Sequence, residues 1–321
     1  MQFVVFGRRS PFRNDWSAAI MPLIGGAQRP ARIKWGQMKL ANFDIGGHSE
    51  IGLVVGARII SLTRALPRLP TSMVEIIGQW EAARPAIDEL QLASAPSFPL
   101  AEVVLRAPID RPGKVMAIGL NYADHLAETG AEPPAHQLWF SKMGNSVHAP
   151  YAPIKLPRVS NAIDYEVELV FVIGTGGRYI SKEAAPRHIF GYCVGNDVTA
   201  RDWQRKTTQW ALGKSFDTHG PFGPWITTAD EVGDPHRLGI RTRVNGELRQ
   251  ESNTRELIFG VFDQVAHLSE VMTLEPGDVV FSGTPGGVGA MMKPPVFLRD
   301  GDRVQCEIDE LGRIEAVCEP E

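Results

Sequence analysis

The stretch NAIDYEVELVFVIG, residues 161–174, constrains the fold more than any other part of this 321-residue chain. Apolar and β-branched side chains are dense enough over residues 165–173 to predict a buried strand. Glu166 and Glu168 lie within that strand, where residues two apart share one face at roughly 7 Å. Val170 and Val172 continue the same face, which argues against exposure to solvent. The sequence therefore predicts a core strand that holds two carboxylates close together.

Short β-type runs dominate the chain from residue 115 onwards, and the few predicted helices lie near residues 121–129, 181–187, 199–205 and 254–272. Because strands and helices do not alternate regularly, a Rossmann or barrel fold is disfavoured, and the pattern predicts a β-rich α+β protein. Residues 38–108 carry a hairpin pattern and a helical pattern that we expect Pro85 to divide into two helices. We predict a small N-terminal α/β domain at 38–108 and a larger domain at 109–321.

Residues 1–37 differ in composition, because six basic residues stand against a single acid, Asp15. An Arg-rich, acid-poor segment is typical of a targeting sequence, and the alternative is an extension before a first strand that starts near Met38. Asp15 and Pro22 interrupt the apolar stretch that a secretory signal needs. We favour a basic, loosely ordered extension without a catalytic role.

The overall composition excludes several classes of partner. The chain has 33 basic and 37 acidic residues, a net charge of −4, which disfavours nucleic acid or an anionic membrane surface as a partner. No apolar run reaches about 18 residues, so we predict no transmembrane helix. Three widely spaced cysteines fit neither a disulfide framework nor a CxxC metal site, which favours a cytoplasmic location.

A third carboxylate joins the pair in the strand. The motif YCVGNDVTARDW places Asp197 where an apolar strand gives way to a helix, a position where functional side chains gather. Glu166, Glu168 and Asp197 are hard oxygen donors of the kind that Mg²⁺ prefers, and a cation would keep neighbouring acids ionised. A solvated strand face is the alternative interpretation of the two glutamates.

The motif GLNYADHLAETG puts His125 and Glu128 three residues apart, on one face of a helical turn. Such a carboxylate orients the imidazole and stabilises its protonated form, so that the other ring nitrogen can take a proton from water. On spacing alone, a surface ion pair without a catalytic role is the alternative.

Two lysines and a glycine-rich loop add further candidates. Lys142 follows an apolar segment, and Lys214 lies in LGKSFD, where a phosphate-binding P-loop is rejected because position 208 is Thr where that motif needs Gly. Arg201 and Gln204 lie one helical turn beyond Asp197 and can reach the same pocket. The loop SGTPGGVG, residues 282–289, contains Thr284 among glycines that let backbone N–H groups approach an anion.

These five motifs occur along the chain in the order typical of the fumarylacetoacetate hydrolase family, and over about residues 115–310 the sequence resembles that family. The resemblance implies a mixed β-roll fold, a homodimer, and a divalent metal, Mg²⁺ or alternatively Mn²⁺, held by Glu166, Glu168 and Asp197. It implies a small-molecule substrate with a 2-oxo acid group. It also makes 109–321 the catalytic domain, Lys214 an active-site cation and Thr284 a contact for the substrate carboxylate.

From this resemblance we expect hydrolysis of a C–C bond in an acylpyruvate-like 2,4-dioxo acid, giving pyruvate and a second acid. His125, oriented by Glu128, would deprotonate the attacking water, and Lys142 or Lys214 would stabilise the oxyanion. The alternatives are decarboxylation of an oxaloacetate-type 2-oxo acid and isomerisation of a 2-hydroxydienoate. A non-catalytic metal-binding scaffold is disfavoured because the motifs for lid, cation and metal are all intact.

Overall fold

The structure, a computed structural model, describes residues 38–130 and 132–321, so the predicted basic extension at 1–37 lies outside the described residues. Strands make up most of the described chain. In chain order they are β1 Lys39–Ile45, β2 His48–Val55, β3 Arg58–Ser61, β4 Ser97–Pro99, β5 Val104–Leu105, β6 Val115–Gly119, β7 Leu138–Ser141, β8 Val147–His148, β9 Ile154–Leu156, β10 Ile163–Asp164, β11 Val167–Ile173, β12 Ile189–Asn196, β13 Thr199–Ala200, β14 Gly220–Thr228, β15 Gly239–Val244, β16 Glu247–Asn253, β17 Val279–Phe281, β18 Arg303–Ile308 and β19 Gly312–Pro320.

Helices are short and few in the described part of the chain. The α-helices are α1 Leu62–Ala65, α2 Met73–Gly78, α3 Trp80–Asp88, α4 Ala123–Thr129, α5 Arg201–Gln204 and α6 Val261–Val271. Single 3₁₀ turns occur at Leu100–Glu102, Gly144–Ser146, Ala185–His188, Thr254–Glu256 and Gly289–Met291. None of the described helices is long and apolar enough to cross a membrane. The predicted β-rich α+β class is confirmed.

A mixed sheet of 12 strands organises the molecule. Its main order is β4-β3-β2-β1-β14-β12-β11-β17-β6-β7, with β5 beside β1 and β8 beside β14. A second sheet has the order β16-β15-β18-β19-β9, and β10 pairs with β13. Most neighbours are antiparallel, but β17–β6, β14–β8 and β19–β9 are parallel.

The N-terminal segment joins the large sheet directly, because β1 pairs antiparallel with β14. Residues 38–321 accordingly fall within one compact unit. The division into domains at 38–108 and 109–321 stays a prediction. A sequence-local pattern shows where strands begin and end, but it does not show that a strand near residue 40 pairs with one near residue 227.

Strand β11 lies at the centre of the core, between β12 and β17. All seven of its residues are buried. Leu169 and Phe171 pack into one apolar cluster together with residues of the second sheet and α6, whereas Val170 and Val172 pack into another with α2 and α3. The strand is therefore covered on both faces, which explains its nearly continuous apolar sequence.

The predicted strand over residues 165–173 begins two residues later than expected, at Val167. Its first two backbone N–H groups are bound by side chains instead of a neighbouring strand. The N–H of Tyr165 donates to Oδ1 of Asp164 at 2.9 Å, and that of Glu166 donates to Oδ1 of Asn196 at 2.9 Å. These polar contacts turn Glu166 out of the regular ladder, at the edge of the cavity described below.

The helical stretch over residues 71–93 is divided at Gln79, and the expected break at Pro85 is wrong. Gln79 has φ −114° and ψ 24° and separates α2 from α3, which continues through Pro85. Proline removes one backbone donor from a helix and can break it. Here Ala83 and Ile87 are buried on either side of Pro85, so packing holds both halves of α3 against the core.

Candidate active site

Three carboxylates converge where β11 and β12 begin and end. Glu168 lies in β11, Glu166 directly precedes that strand, and Asp197 directly follows β12. Because β11 and β12 are antiparallel, with Val167 opposite Asn196, the start of one lies beside the end of the other. The backbone N–H of Asp197 donates to the carbonyl of Glu166 at 2.9 Å. One oxygen from each carboxylate lies within 4.8 Å of the others, and all three residues are buried.

Three basic side chains bind two of these acids. Lys214 Nζ lies 2.6 Å from Oε2 of Glu166 and 2.6 Å from Oδ2 of Asp197. Lys142 Nζ is 2.7 Å from Oδ1 of Asp197 and also donates to the carbonyl of Lys214. Arg201 Nη1 is 2.7 Å from Oε1 of Glu166. Both oxygens of Glu166 and both of Asp197 therefore have a cationic partner.

Glu168 has a different environment. The backbone N–H of Gly283 donates to its Oε2 at 2.7 Å, and its other oxygen has no hydrogen-bond partner among the described residues. Burial, together with the negative charges of Asp197 and Glu166, raises the pKa of Glu168 well above its usual range. A buried carboxylate with an unused oxygen beside two other acids is a group that a cation would stabilise.

The acidic and basic side chains of the cluster shift one another's pKa values. Burial acts to raise the pKa of Glu166, but the positive charges of Lys214 and Arg201 outweigh it and lower that pKa. Burial acts to lower the pKa of Lys214, but Asp197 and Glu166 outweigh it and raise that pKa. Glu166 and Lys214 therefore stabilise each other's charged forms. For Lys142, burial prevails over the attraction of Asp197 and lowers the pKa.

The donor set fits a divalent metal of the hard type. Three carboxylates with oxygens this close are ligands that suit Mg²⁺ or Mn²⁺, and no sulfur or imidazole donor belongs to the cluster. Glu168 supplies the decisive observation. One of its oxygens is free, burial raises its pKa, and none of the described side chains provides a positive partner for its ionised form. The predicted ligands Glu166, Glu168 and Asp197 therefore fit the metal that the sequence implies.

Asp164 is a site residue that sequence reasoning missed. Its Oδ1 accepts the N–H of Gly289 at 2.8 Å, and its Oδ2 accepts the N–H of Ala290 at 3.0 Å and Nε of Arg201 at 2.8 Å. This buried acid thus fixes both the guanidinium and the end of the glycine-rich loop. Its position two residues before Glu166, in the same motif, was the available signal.

Thr284 lines the cavity, but its hydroxyl is already bonded within the protein. It donates to the carbonyl of Val167 at 2.9 Å and accepts from Nε2 of Gln250 at 2.9 Å. Gln250 is buried, and its Oε1 also accepts the N–H of Val167 at 3.1 Å. Sequence reasoning missed Gln250, since a glutamine in a polar strand carries no distinctive signal. The role of Thr284 as a substrate contact stays a prediction.

Helix α4 brings the predicted histidine–glutamate pair together. His125 Nδ1 lies 3.2 Å from Oε2 of Glu128, and His125 lines the cavity. The N–H of Gly287 donates to both carboxylate oxygens of Glu128, at 3.1 Å each. Glu128 therefore connects the imidazole to the glycine-rich loop, which is the geometry that an orienting carboxylate needs.

A second carboxylate of α4 makes the same kind of contact. Asp124 Oδ1 accepts the N–H of Gly286 at 3.2 Å, and its Oδ2 accepts the hydroxyl of Ser252 in β16. We call the contacts of Asp124 and Glu128 with Gly286, Gly287 and Ser252 the latch. The latch holds α4 against two other elements and keeps His125 at the cavity wall.

One cavity of about 400 Å³ gathers most of the predicted site. Seven of the ten predicted residues line it, namely His125, Glu166, Glu168, Arg201, Gln204, Lys214 and Thr284. Glu128, Lys142 and Asp197 do not line it and contact those that do. Apolar residues such as Ile118, Phe140 and Val288 form much of the remaining wall. Acid–base, cationic and carboxylate groups thus face one cavity.

The chain is similar in sequence to known proteins. The family model described as fumarylacetoacetate (FAA) hydrolase C-terminal matches residues 114–318. Oxaloacetate tautomerase FAHD2B, mitochondrial, of Bos taurus is 44% identical over 283 residues, which cover 86% of this chain and 90% of that protein.

Two solved structures are also similar to this chain. Fumarylacetoacetate hydrolase from Exiguobacterium antarcticum is 37% identical with a TM-score of 0.79, covering 88% of this chain and 100% of that one. Maleylpyruvate hydrolase from Sphingobium sp. SYK-6, in complex with manganese(II) ion and pyruvate, is 35% identical with a TM-score of 0.75, covering 88% of this chain and 99% of that one.

Proposed function

The chain belongs to the fumarylacetoacetate hydrolase family, and from that premise we propose that it is a metal-dependent tautomerase of an oxaloacetate-type 2-oxo acid. The family membership and the fold class predicted from the motifs are both confirmed. The family is enzymatic, and its matched members include hydrolases and tautomerases. The 44% identity to a protein named oxaloacetate tautomerase favours tautomerisation over the hydrolysis expected from the sequence.

The observation that carries the proposal is the placement of His125 in the same cavity as Glu166 and Glu168. Keto–enol tautomerisation needs a group that moves a proton between the oxygen on C2 of the substrate and C3. In the ketonising direction the O–H bond breaks, the C2–C3 double bond becomes a C2–O double bond, and a C–H bond forms at C3. His125, oriented by Glu128, can donate and accept that proton.

A divalent cation bound by Glu166, Glu168 and Asp197, which we propose to be Mg²⁺ with Mn²⁺ as the alternative, would stabilise negative charge on the substrate's 2-oxo oxygen. The chain's own residues do the rest. Lys214 and Lys142 hold Asp197 in place, and Lys214 also lines the cavity. We propose that Arg201, Gln204 and Thr284 bind the substrate's 2-oxo acid end, because all three line the cavity.

Hydrolysis of an acylpyruvate-like 2,4-dioxo acid is the second candidate. The contact between Glu128 and His125 favours it, because an oriented imidazole can deprotonate water as well as an enol. A C–O bond to water would form and the C–C bond would break, releasing pyruvate and a second acid. Of the two lysines proposed to stabilise the oxyanion, Lys214 lines the cavity, whereas Lys142 is bonded to Asp197 behind it.

The test follows enol and pyruvate separately. Freshly dissolved enol-oxaloacetate is mixed with Mg²⁺-loaded protein, its ultraviolet absorbance reports ketonisation, and a coupled dehydrogenase assay reports pyruvate. We expect rapid loss of the enol without matching release of pyruvate. Pyruvate release from oxaloacetate at the same rate would favour decarboxylation, and release from an acylpyruvate without enol turnover would favour hydrolysis. The same assay with a 2-hydroxydienoate examines isomerisation.

Location and assembly stay predictions. The cytoplasmic location inferred from the cysteines competes with a mitochondrial one, which the name of the bovine relative states for that protein. We propose a homodimer on the family resemblance. Light scattering of the purified protein and fractionation of cells that express the full chain decide these two points.

A further inference from the structure

The basic side chains that line the cavity are paired with acids, with one exception among the described residues. Lys214 and Arg201 bind Glu166, and His125 contacts Glu128. Arg205 also lines the cavity, directly after α5, and is exposed. Its guanidinium makes no hydrogen bond or ion pair with any residue in the described ranges. An Arg with five free donors at the mouth of an active-site cavity is available to an anionic ligand.

An aromatic side chain follows Arg205 in the same loop and lines the same cavity. Trp210 lines the cavity, and its ring lies 5.5 Å from that of Phe140, centroid to centroid. A Cβ atom built on Gly119 would come within 2.3 Å of the Trp210 ring, so the indole packs directly over that glycine. The indole N–H has no acceptor among residues 38–130 and 132–321. Arg205 and Trp210 thus offer two kinds of unused donor on one loop.

The buried part of the cavity is lined by acids and, within the part of the chain that the structure describes, has no unpaired cation. Glu166 and Glu168 line it, Asp197 lies directly behind, and the basic groups there are already bound to these acids. In the proposed function the 2-oxo acid end of the substrate binds at this cluster, so a second carboxylate would gain most from a free guanidinium, which binds carboxylates in a bidentate manner. The exposed part of the cavity therefore keeps an unpaired cation, whereas the cations of the buried part are already paired.

We propose that Arg205, together with the indole N–H of Trp210, forms a subsite for the distal carboxylate of a dicarboxylic 2-oxo acid. The proposal rests on the proposed function and names its substrate class, since it selects four-carbon diacids of the oxaloacetate type over 2-oxo acids that end in an alkyl or ester group. Arg205 would determine specificity, and the proton transfer would remain with His125.

The test compares two substrates with the same carbon skeleton, oxaloacetate and its 4-ethyl ester, which lacks the distal charge. We expect Arg205→Gln to lower kcat/KM for oxaloacetate by about 10- to 100-fold, mostly through KM, because a hydrogen bond to a charged group has about that value. Turnover of the ester should hardly change, and Arg205→Lys should restore part of the loss. Lys206→Gln is the matched control, since its ammonium lies 3.3 Å from the Trp203 ring centroid and not in the cavity lining.

An equal loss of kcat/KM for oxaloacetate and for the ester in Arg205→Gln would overturn the proposal. The same loss for oxaloacetate alone in Lys206→Gln would also overturn it, because it would indicate general attraction by surface charge. Should the wild-type protein show no tautomerase activity, the proposed function fails but the subsite is still decided. In that case calorimetry measures the binding of the two compounds to Mg²⁺-loaded protein. Weaker binding of oxaloacetate alone in Arg205→Gln supports the subsite, and unchanged binding of both refutes it.

Discussion

Glu168 provides the sharpest test of the carboxylate cluster, because its free oxygen and raised pKa arise from one cause. In metal-free protein, burial and the charges of Asp197 and Glu166 favour its protonated form in the folded state. An acid whose pKa is raised by folding contributes stability that is fully present below its usual pKa and is lost as pH rises toward the folded-state value. Metal-free protein should therefore become less stable as pH increases from the usual carboxyl range.

The expected magnitudes follow from one proton and one metal ion. A single such group lowers the free energy of unfolding by up to about 1.4 kcal/mol per pH unit. Glu168→Gln removes this proton and should flatten that part of the profile, while its side-chain oxygen can still accept the Gly283 N–H. Metal at 100 times its Kd should stabilise the wild-type protein by about 2.7 kcal/mol, and the variant, which lacks one anionic ligand, should gain far less.

Urea unfolding followed by circular dichroism measures both effects, first with EDTA and then with Mg²⁺, over a series of pH values. Asp278→Asn is the matched control, because Asp278 is a buried acid whose pKa burial also raises, yet it pairs with Lys114 at 2.9 Å and not with the cluster. The control should keep the full gain from Mg²⁺. A Glu168→Gln protein that gains as much stability from Mg²⁺ as the wild type would refute the reasoning.

Three further predictions concern the groups around the cluster. His125→Ala should lower kcat by roughly 10²–10⁴-fold and leave inhibition by oxalate unchanged. The effects of His125→Ala and Glu128→Ala on kcat should be strongly non-additive, and additive effects in the double mutant would contradict a joint role. Asp124→Asn and Ser252→Ala should each weaken the latch and leave Mg²⁺ binding unchanged. Mass spectrometry should then show faster hydrogen exchange of the α4 backbone amides, and unchanged exchange would show that the latch does not hold α4 in place. Burial lowers the pKa of His219 from 6.5 to about 4, so its neutral form stabilises the fold above pH 6.5 and that stability is lost as pH falls toward 4. The loss is about 3 kcal/mol, and His219→Gln should remove it in urea unfolding; an identical pH profile would show that another group is responsible.

The parts of the site that the sequence predicted are those with a local signature. Two glutamates in an apolar run, two residues apart and so on one strand face, predict that Glu166 and Glu168 lie together, and the structure has both beside Asp197. His125 and Glu128 required only helical spacing, which α4 provides. In each case the residues lie on one element, or at the ends of two paired strands, so their geometry follows from the period of that element.

The partners of these residues could not be predicted in the same way. Nothing in the local pattern indicates that Lys142 binds Asp197 or that Ser252 reaches Asp124, because each contact joins elements that are distant in the sequence. Arg205 carried no signal either, since exposed arginines are common, and only the enclosing cavity makes it notable. The pairing of β1 with β14 belongs to the same class of non-local contact.

The errors in the secondary structure have a related cause. Proline is a helix breaker in isolation, but α3 continues through Pro85 because Ala83 and Ile87 anchor it in the core. The start of β11 was placed too early because the backbone of Tyr165 is bound by the Asp164 side chain rather than by a strand. In both places tertiary contacts outweigh the local preference of the sequence.

The most direct measurement is the anomalous signal of Mn²⁺ in crystals grown with that metal and oxalate. The proposed metal centre predicts one strong peak between the carboxylates of Glu166, Glu168 and Asp197, at metal–oxygen distances somewhat longer than the roughly 2.1 Å typical of Mg²⁺. Oxalate should lie next to it, in the cavity that His125 lines. A peak elsewhere would contradict the metal centre and the tautomerase proposed from it. So would the absence of a peak at this cluster, with Lys214 still bridging Glu166 and Asp197.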